Sequence, residues 1–237
     1  MFKYCTLTGV DEETSFDWIA EVSERHPFVE WGVLLSFTAA DKDERYGPMS
    51  LIEAFAKHSW TQPINSALHV CGKAVNSFVA DTDDVRELAA NFGRVQLNFN
   101  LGRAPFGIAE LDEAIRSFGG VVITQHNEAN VDVARLIAAE NHHVLFDASG
   151  GRGLRTTDWP ERLNGKIYGY AGGFGPETVS DDLEGAHSAA NGEPYWIDME
   201  TKLRQAGYLS KEKCERVLDA VAIKLEQLYP TQYRSLS

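Results

Sequence analysis

The most informative stretch of this chain is residues 146–153, which read F-D-A-S-G-G-R-G. Asp147 leaves an apolar run, and the glycines behind it let backbone N–H groups converge on an anion without Cβ obstruction. Residues 170–179, Y-A-G-G-F-G-P-E-T-V, repeat the arrangement. There Gly172 and Gly173 end an apolar run, and Pro176 stands near the first position of a helix, whose free N–H groups suit a phosphate. Either stretch alone is an ordinary loop, with Asp147 as its cap. Together they point to a phosphorylated small molecule. Polar residues or glycines follow the other apolar runs as well: Cys5, Arg45 with Tyr46, His69, Asn98, Gln125 with His126, and Asp198.

The elements that must position these residues alternate. Strand-like runs are expected at 2–7, 31–37, 67–71, 95–99, 121–125, 143–146, 167–171 and 195–197. Helical patterns are expected at 12–25, 48–60, 83–92 (capped by Asp81 or Thr82), 108–118, 130–140 and 211–228. A brief helix should follow the loop after Asp147, and another should open near Pro176. Strands alternating with helices imply parallel pairing through right-handed crossovers. Eight such units of roughly 30 residues are the arithmetic of a (β/α)₈ TIM barrel, whose chemistry sits at the C-terminal strand ends. The alternative, an open doubly wound sheet, lacks its glycine signature, because the turn after the first strand holds only Gly9. No linker or low-complexity tract interrupts the chain, so 1–237 reads as a single TIM-barrel domain.

Composition narrows the partners. With 22 basic and 35 acidic residues the formal charge is −13. A chain this acidic without a Lys/Arg cluster repels nucleic acid and anionic membranes. An anionic substrate must then be held by local N–H groups and a few arginines. Three cysteines are too few and too odd for a disulfide framework. Residues 1–13 turn acidic without a long apolar run, unlike a signal peptide, and the expected location is cytoplasmic. The sequence is silent on oligomeric state.

Several motifs resemble those of the phosphoribosylanthranilate isomerases of tryptophan biosynthesis. D-A-S-G-G-R-G-L-R-T-T-D-W, from Asp147 to Trp159, resembles the Asp, glycine loop and D-W pair after that family's sixth strand. A-G-G-F-G-P-E-T-V, from Ala171, resembles its A-G-G-L-x-P-E-N-V. K-Y-C-T-L-T, from Lys3, resembles K-x-C-G-[IL]-T. Arg45-Tyr46 falls at its S-x-R-Y loop, Val95-Gln96-Leu97 at V-Q-L, and Asp198-Met199-Glu200 at D-x-S-S-G. Their order spans nearly the whole chain.

The resemblance implies an Amadori rearrangement, an aldose–ketose isomerisation of a phosphoribosyl amine that needs a general acid and a general base. It makes Asp147 the acid and Cys5 the base. Arg45 would take the carboxylate of the non-sugar half, bidentate. Gly151, Gly153, Gly172 and Gly173 would hold phosphate, and Gln96, Asn98 and Asp198 would complete substrate binding. No cofactor or metal is implied.

This chain departs from the family at Thr6 for glycine, Asn98 for histidine and Met199-Glu200 for the two serines, as expected of a divergent relative with a changed substrate. Without the resemblance, Cys5 on a buried strand reads as inert core rather than as a base, and Arg45 is readable as a surface ion pair. Two other functions stay open. One is a metal-dependent sugar-phosphate epimerase or aldolase using His69, His126, Asp147 and Asp198. The other is a barrel that binds a phosphorylated metabolite without catalysis.

Overall fold

Eight buried runs become eight parallel strands in the computed structural model, which describes residues 1–39, 43–147, 154–156, 158–160, 162–163 and 165–230. They are β1 (Phe2–Thr8), β2 (Val29–Ser36), β3 (Asn65–Cys71), β4 (Arg94–Asn98), β5 (Val121–His126), β6 (His142–Asp147), β7 (Tyr168–Ala171) and β8 (Tyr195–Met199). Each pairs with the next, and β8 returns to β1, so the sheet closes into the expected barrel. The helices are α1 (Phe16–Arg25), α2 (Met49–Thr61), α3 (Lys73–Ala80), α4 (Val85–Ala89), α5 (Ile108–Phe118), α6 (Val131–Leu136), α7 (Val179–Ala190) and α8 (Lys211–Leu228). A short hairpin, β9 (Arg204–Gln205) and β10 (Tyr208–Leu209), precedes α8. Among the described residues no helix is long and apolar enough to cross a membrane.

Local chemistry sets the helix ends. Ser15 accepts from the Trp18 amide and opens α1, and Ser210 does the same for α8 through Lys213. The Glu110 carboxylate accepts the Gly107 N–H at the start of α5, and Gly119, at φ 78°, stops it. The helix expected at 83–92 contracts to α4, which the positive φ of Asp81, Asp83 and Asp84 separates from the preceding, unexpected α3. Neither Asp81 nor Thr82 caps α4, whose N-cap is Asp84. The helix expected at 130–140 contracts to α6, and α7 begins three residues after Pro176. Among the described residues between β6 and β7 there is no helix.

Side chains alternate along each strand, one into the barrel and the next toward the helices. The lower interior is filled by Glu30, Arg94 and Thr6. Arg94 Nε donates to Glu30 Oε1 at 2.7 Å, its Nη2 donates to Glu30 Oε2, and Thr6 donates to Glu30 Oε2 at 2.7 Å. The guanidinium lies 4.6 Å from the Tyr4 ring centre and 4.4 Å from that of Trp196. Above it Ile123, Leu145 and Trp196 form a small apolar floor. Gly169 makes room for it, because a Cβ there would fall 2.1 Å from the Trp196 ring. The outer layer between barrel and helices is the large apolar core, to which Cys5, Leu7 and Ile197 contribute beside Cys214, Val217 and Val221 of α8.

Candidate active site

Above the apolar floor the strand ends and their loops enclose a cavity of about 420 Å³. Arg45, Gln96, Asn98, Asp147, Gly172, Gly173 and Asp198, all singled out from the sequence, line it. Tyr46, His69 and Gln125 do so too. Gly151 and Gly153 lie outside the described residues.

Cys5 is the correction. It is fully buried in the barrel–helix layer, does not line the cavity, and has Cys214 of α8 as a close neighbour. Parity explains this. Thr6 and Thr8 turn inward, Thr6 to Glu30 and Thr8 to Asp198, so Cys5 and Leu7 must turn outward. Burial pushes the Cys5 thiol well above its usual range, the opposite of what a thiolate base needs. The Cys5–Asp147 couple is therefore not assembled. The thiol that does line the cavity is Cys71 on β3, two residues beyond His69 on the same strand face. The signal for it was available in that spacing.

Asp147 on β6 and Asp198 on β8 are inward carboxyls of the cavity. Ala171 is in register with both, so they share one tier, two strands apart and roughly 10 Å between Cα atoms. Thr8 donates to Asp198 Oδ1 at 2.7 Å. Gln125 Nε2 lies 3.5 Å from Asp147 Oδ2. Burial raises the Asp198 pKa to about 7, against the Thr8 hydrogen bond, with Glu200, Glu30 and Asp147 adding repulsion.

The opposite wall is a chain of neutral polar groups. Gln96 Nε2 sits 3.3 Å from His69 Nδ1 and donates to Asn98 Oδ1 at 3.0 Å. Asn98 Nδ2 in turn reaches Cys71 Sγ at 3.4 Å. Burial, with Arg94 nearby, lowers the His69 pKa to about 3, so the ring is neutral and its Nδ1 accepts. Burial lifts the Cys71 thiol to about 11.

At the mouth, Arg45 does not offer an open fork. Its Nε and Nη2 bind Asp43, the shortest contact being 2.6 Å, and its Nη1 donates to Glu200 Oε1 at 3.2 Å. Burial raises the Glu200 pKa, opposed by Arg45. Gly173, at φ 73°, and Lys202 line the far side of the mouth. Both also border an adjacent cleft of about 230 Å³ reached by Lys213 and Arg216.

The four residues weighed as metal ligands do not converge. His126 Nδ1 lies 3.0 Å from the Tyr168 hydroxyl, and His126 does not line the cavity. Among the described residues no group of three His, Cys, Asp or Glu is placed to hold a metal ion.

Solved structures with this architecture include N-(5′-phosphoribosyl)anthranilate isomerase from Pyrococcus furiosus. It is 14% identical, with a TM-score of 0.54 over 92% of this chain and 98% of that one. Phosphoribosylanthranilate isomerase from Thermotoga maritima is also 14% identical, with a TM-score of 0.59 over 92% and 97%. Phospho-2-dehydro-3-deoxyheptonate aldolase (DAHP synthase) from Thermotoga maritima is 12% identical, with a TM-score of 0.58 over 96% and 70%. At these identities the likeness is one of fold. No family model and no curated protein matches the chain.

Proposed function

We propose that this barrel is an aldose–ketose isomerase that carries out an Amadori rearrangement of an N-linked ribosylamine 5-phosphate, a reaction related to the isomerisation in tryptophan biosynthesis. The observation that carries the reading is the pair Asp147 and Asp198, on one tier of one cavity, one of them with a pKa near the pH at which it must work.

In this reaction the ring oxygen is protonated as the C1–O bond breaks, giving an iminium. A base then takes the C2 proton, the enol forms, and reprotonation at C1 yields the 1-amino-2-ketose. C1 is reduced as C2 is oxidised, so the step balances without an external oxidant or reductant. Asp147 keeps the role of acid that the family resemblance gives it. Asp198 takes the base's place on the barrel circumference, because β8 neighbours β1 and Asp198 is in register with Thr6. A base of pKa about 7 is a stronger proton acceptor than an ordinary carboxylate yet remains largely ionised at pH 8. Gly172, Gly173 and Lys202 supply the phosphate end.

The test is deuterium uptake at the sugar C1, where the product is reprotonated. Ribose 5-phosphate is mixed with a panel of aromatic amines in D₂O, and product is followed by NMR. Turnover that falls by at least about 100-fold in both Asp147→Asn and Asp198→Asn supports the reading. Full activity in either variant, or no turnover of any amine by folded wild-type protein, overturns it.

A further inference from the structure

The state of Arg45 bears on what the cavity accepts. A free guanidinium presents a fork that matches one carboxylate. Here that fork is filled: Asp43 takes the Nε and Nη2 edge in a two-pronged contact, and Glu200 takes Nη1. One positive charge faces two carboxyls, both supplied by this chain. Among the described residues the remaining cation of the cavity lining is Lys202, at the glycine end, where its stem packs on Gly175. The nearby Arg204 is also occupied, holding Asp11 and the Gly9 and Gly207 carbonyls. A carboxylate brought to the Arg45 end would sit beside both Asp43 and Glu200 on the same guanidinium. Like charges at hydrogen-bond distance are strongly unfavourable in a partly buried site.

We infer that Asp43 and Glu200 neutralise Arg45 in order to select a substrate whose non-sugar half carries no carboxylate, the phosphate at the other end being its only anion. This rests on the phosphoribosylamine reading and names its substrate class: ribosylamine 5-phosphates of uncharged or positively charged amines. Asp43 and Glu200 are specificity-determining residues, acting through Arg45 and by repulsion.

Two stable probes test it. Reductive amination of ribose 5-phosphate with aniline gives 1-anilino-1-deoxyribitol 5-phosphate. With anthranilate it gives the same compound bearing one ortho carboxylate. Calorimetry on the wild-type protein should show the uncharged probe bound at least about tenfold tighter. Glu200→Gln and Asp43→Asn should each narrow that gap, and the double variant should close or reverse it. Each variant is first checked for a wild-type thermal transition, and either single variant suffices if the other does not fold. Tighter wild-type binding of the carboxylate probe overturns the inference while leaving the isomerase reading intact. A gap unchanged in the folded variants overturns the assignment to Asp43 and Glu200. Failure of wild-type protein to bind either probe overturns the isomerase reading, and the inference with it.

Discussion

Thr8 on the first strand donates a 2.7 Å hydrogen bond to Asp198 on the last, across the seam where the barrel closes. That bond stabilises the ionised carboxylate and works against the burial that raises its pKa to about 7. Thr8→Val keeps the shape and removes the donor. The Asp198 pKa should rise, and the acidic limb of the kcat/KM profile should move to higher pH by about half a unit to one unit. A profile that loses height without moving would remove Thr8 from the control of this group.

Asp198 also ties stability to pH. Its folded pKa is raised from the ordinary 3.8 to about 7, so the folded state holds a proton that the unfolded chain has released. The stability linked to that proton is complete below about pH 4 and is lost as pH rises toward and through 7. Asp198→Asn removes the dependence while keeping an acceptor for Thr8. The variant should be inactive yet more stable than wild type at pH 8, by roughly a few kcal/mol, with the gap shrinking steadily toward pH 4. Paired thermal melts at pH 5 and pH 8 read this directly, and a gap independent of pH would contradict it.

Cys5 and Cys71 should behave oppositely. Cys5→Ser puts a hydroxyl in the apolar layer beside Cys214 and should cost about 1–3 kcal/mol of stability, with kcat in the folded fraction changed less than about twofold. Native protein treated with a thiol reagent should be modified at Cys71 alone among the two, slowly because its pKa is about 11, and ligand in the cavity should protect it. Peptide mapping after labelling distinguishes the sites.

The Arg94–Glu30 pair is sealed below the cavity floor. Arg94→Met would leave Glu30 buried without its cation, and urea denaturation should show a loss of about 3–5 kcal/mol. Replacing both partners with apolar residues of similar volume should recover most of it, since the desolvation of both charges disappears together.

The architecture was legible because strands buried on both faces are apolar runs, and those runs came at barrel spacing. Helices α5 and α8 stood where the pattern put them, since Glu110, Gly119 and Ser210 are strong local stops and starts. Helix α3 was hidden: it is only eight residues long and opens behind Gly72 at φ 60°. Most of the cavity lining was legible because it sits just past the strands, where a barrel puts its chemistry. Cys5 was misread because matching a motif fixes a residue's position but not the face it turns to. The alternation Cys5, Thr6, Leu7, Thr8 held that information, with both threonines on the inward parity. The filling of Arg45 was not legible, because Glu200 is 155 residues away in sequence and only the closed barrel brings the two together.

The seam has a consequence for how this protein is made. β1 leaves the ribosome early and β8 is among the last strands to emerge, yet Asp198 and its Thr8 partner meet only when these two edges pair. Until residues 195–199 emerge, β1 presents an open strand edge, the kind of surface on which chains aggregate. No nascent segment lacking β8 holds both members of the pair. Catalytic competence is thus a late event in biogenesis, and a circular permutant in which α8 leads on into β1 should bring Thr8 and Asp198 together earlier in synthesis than the natural order does.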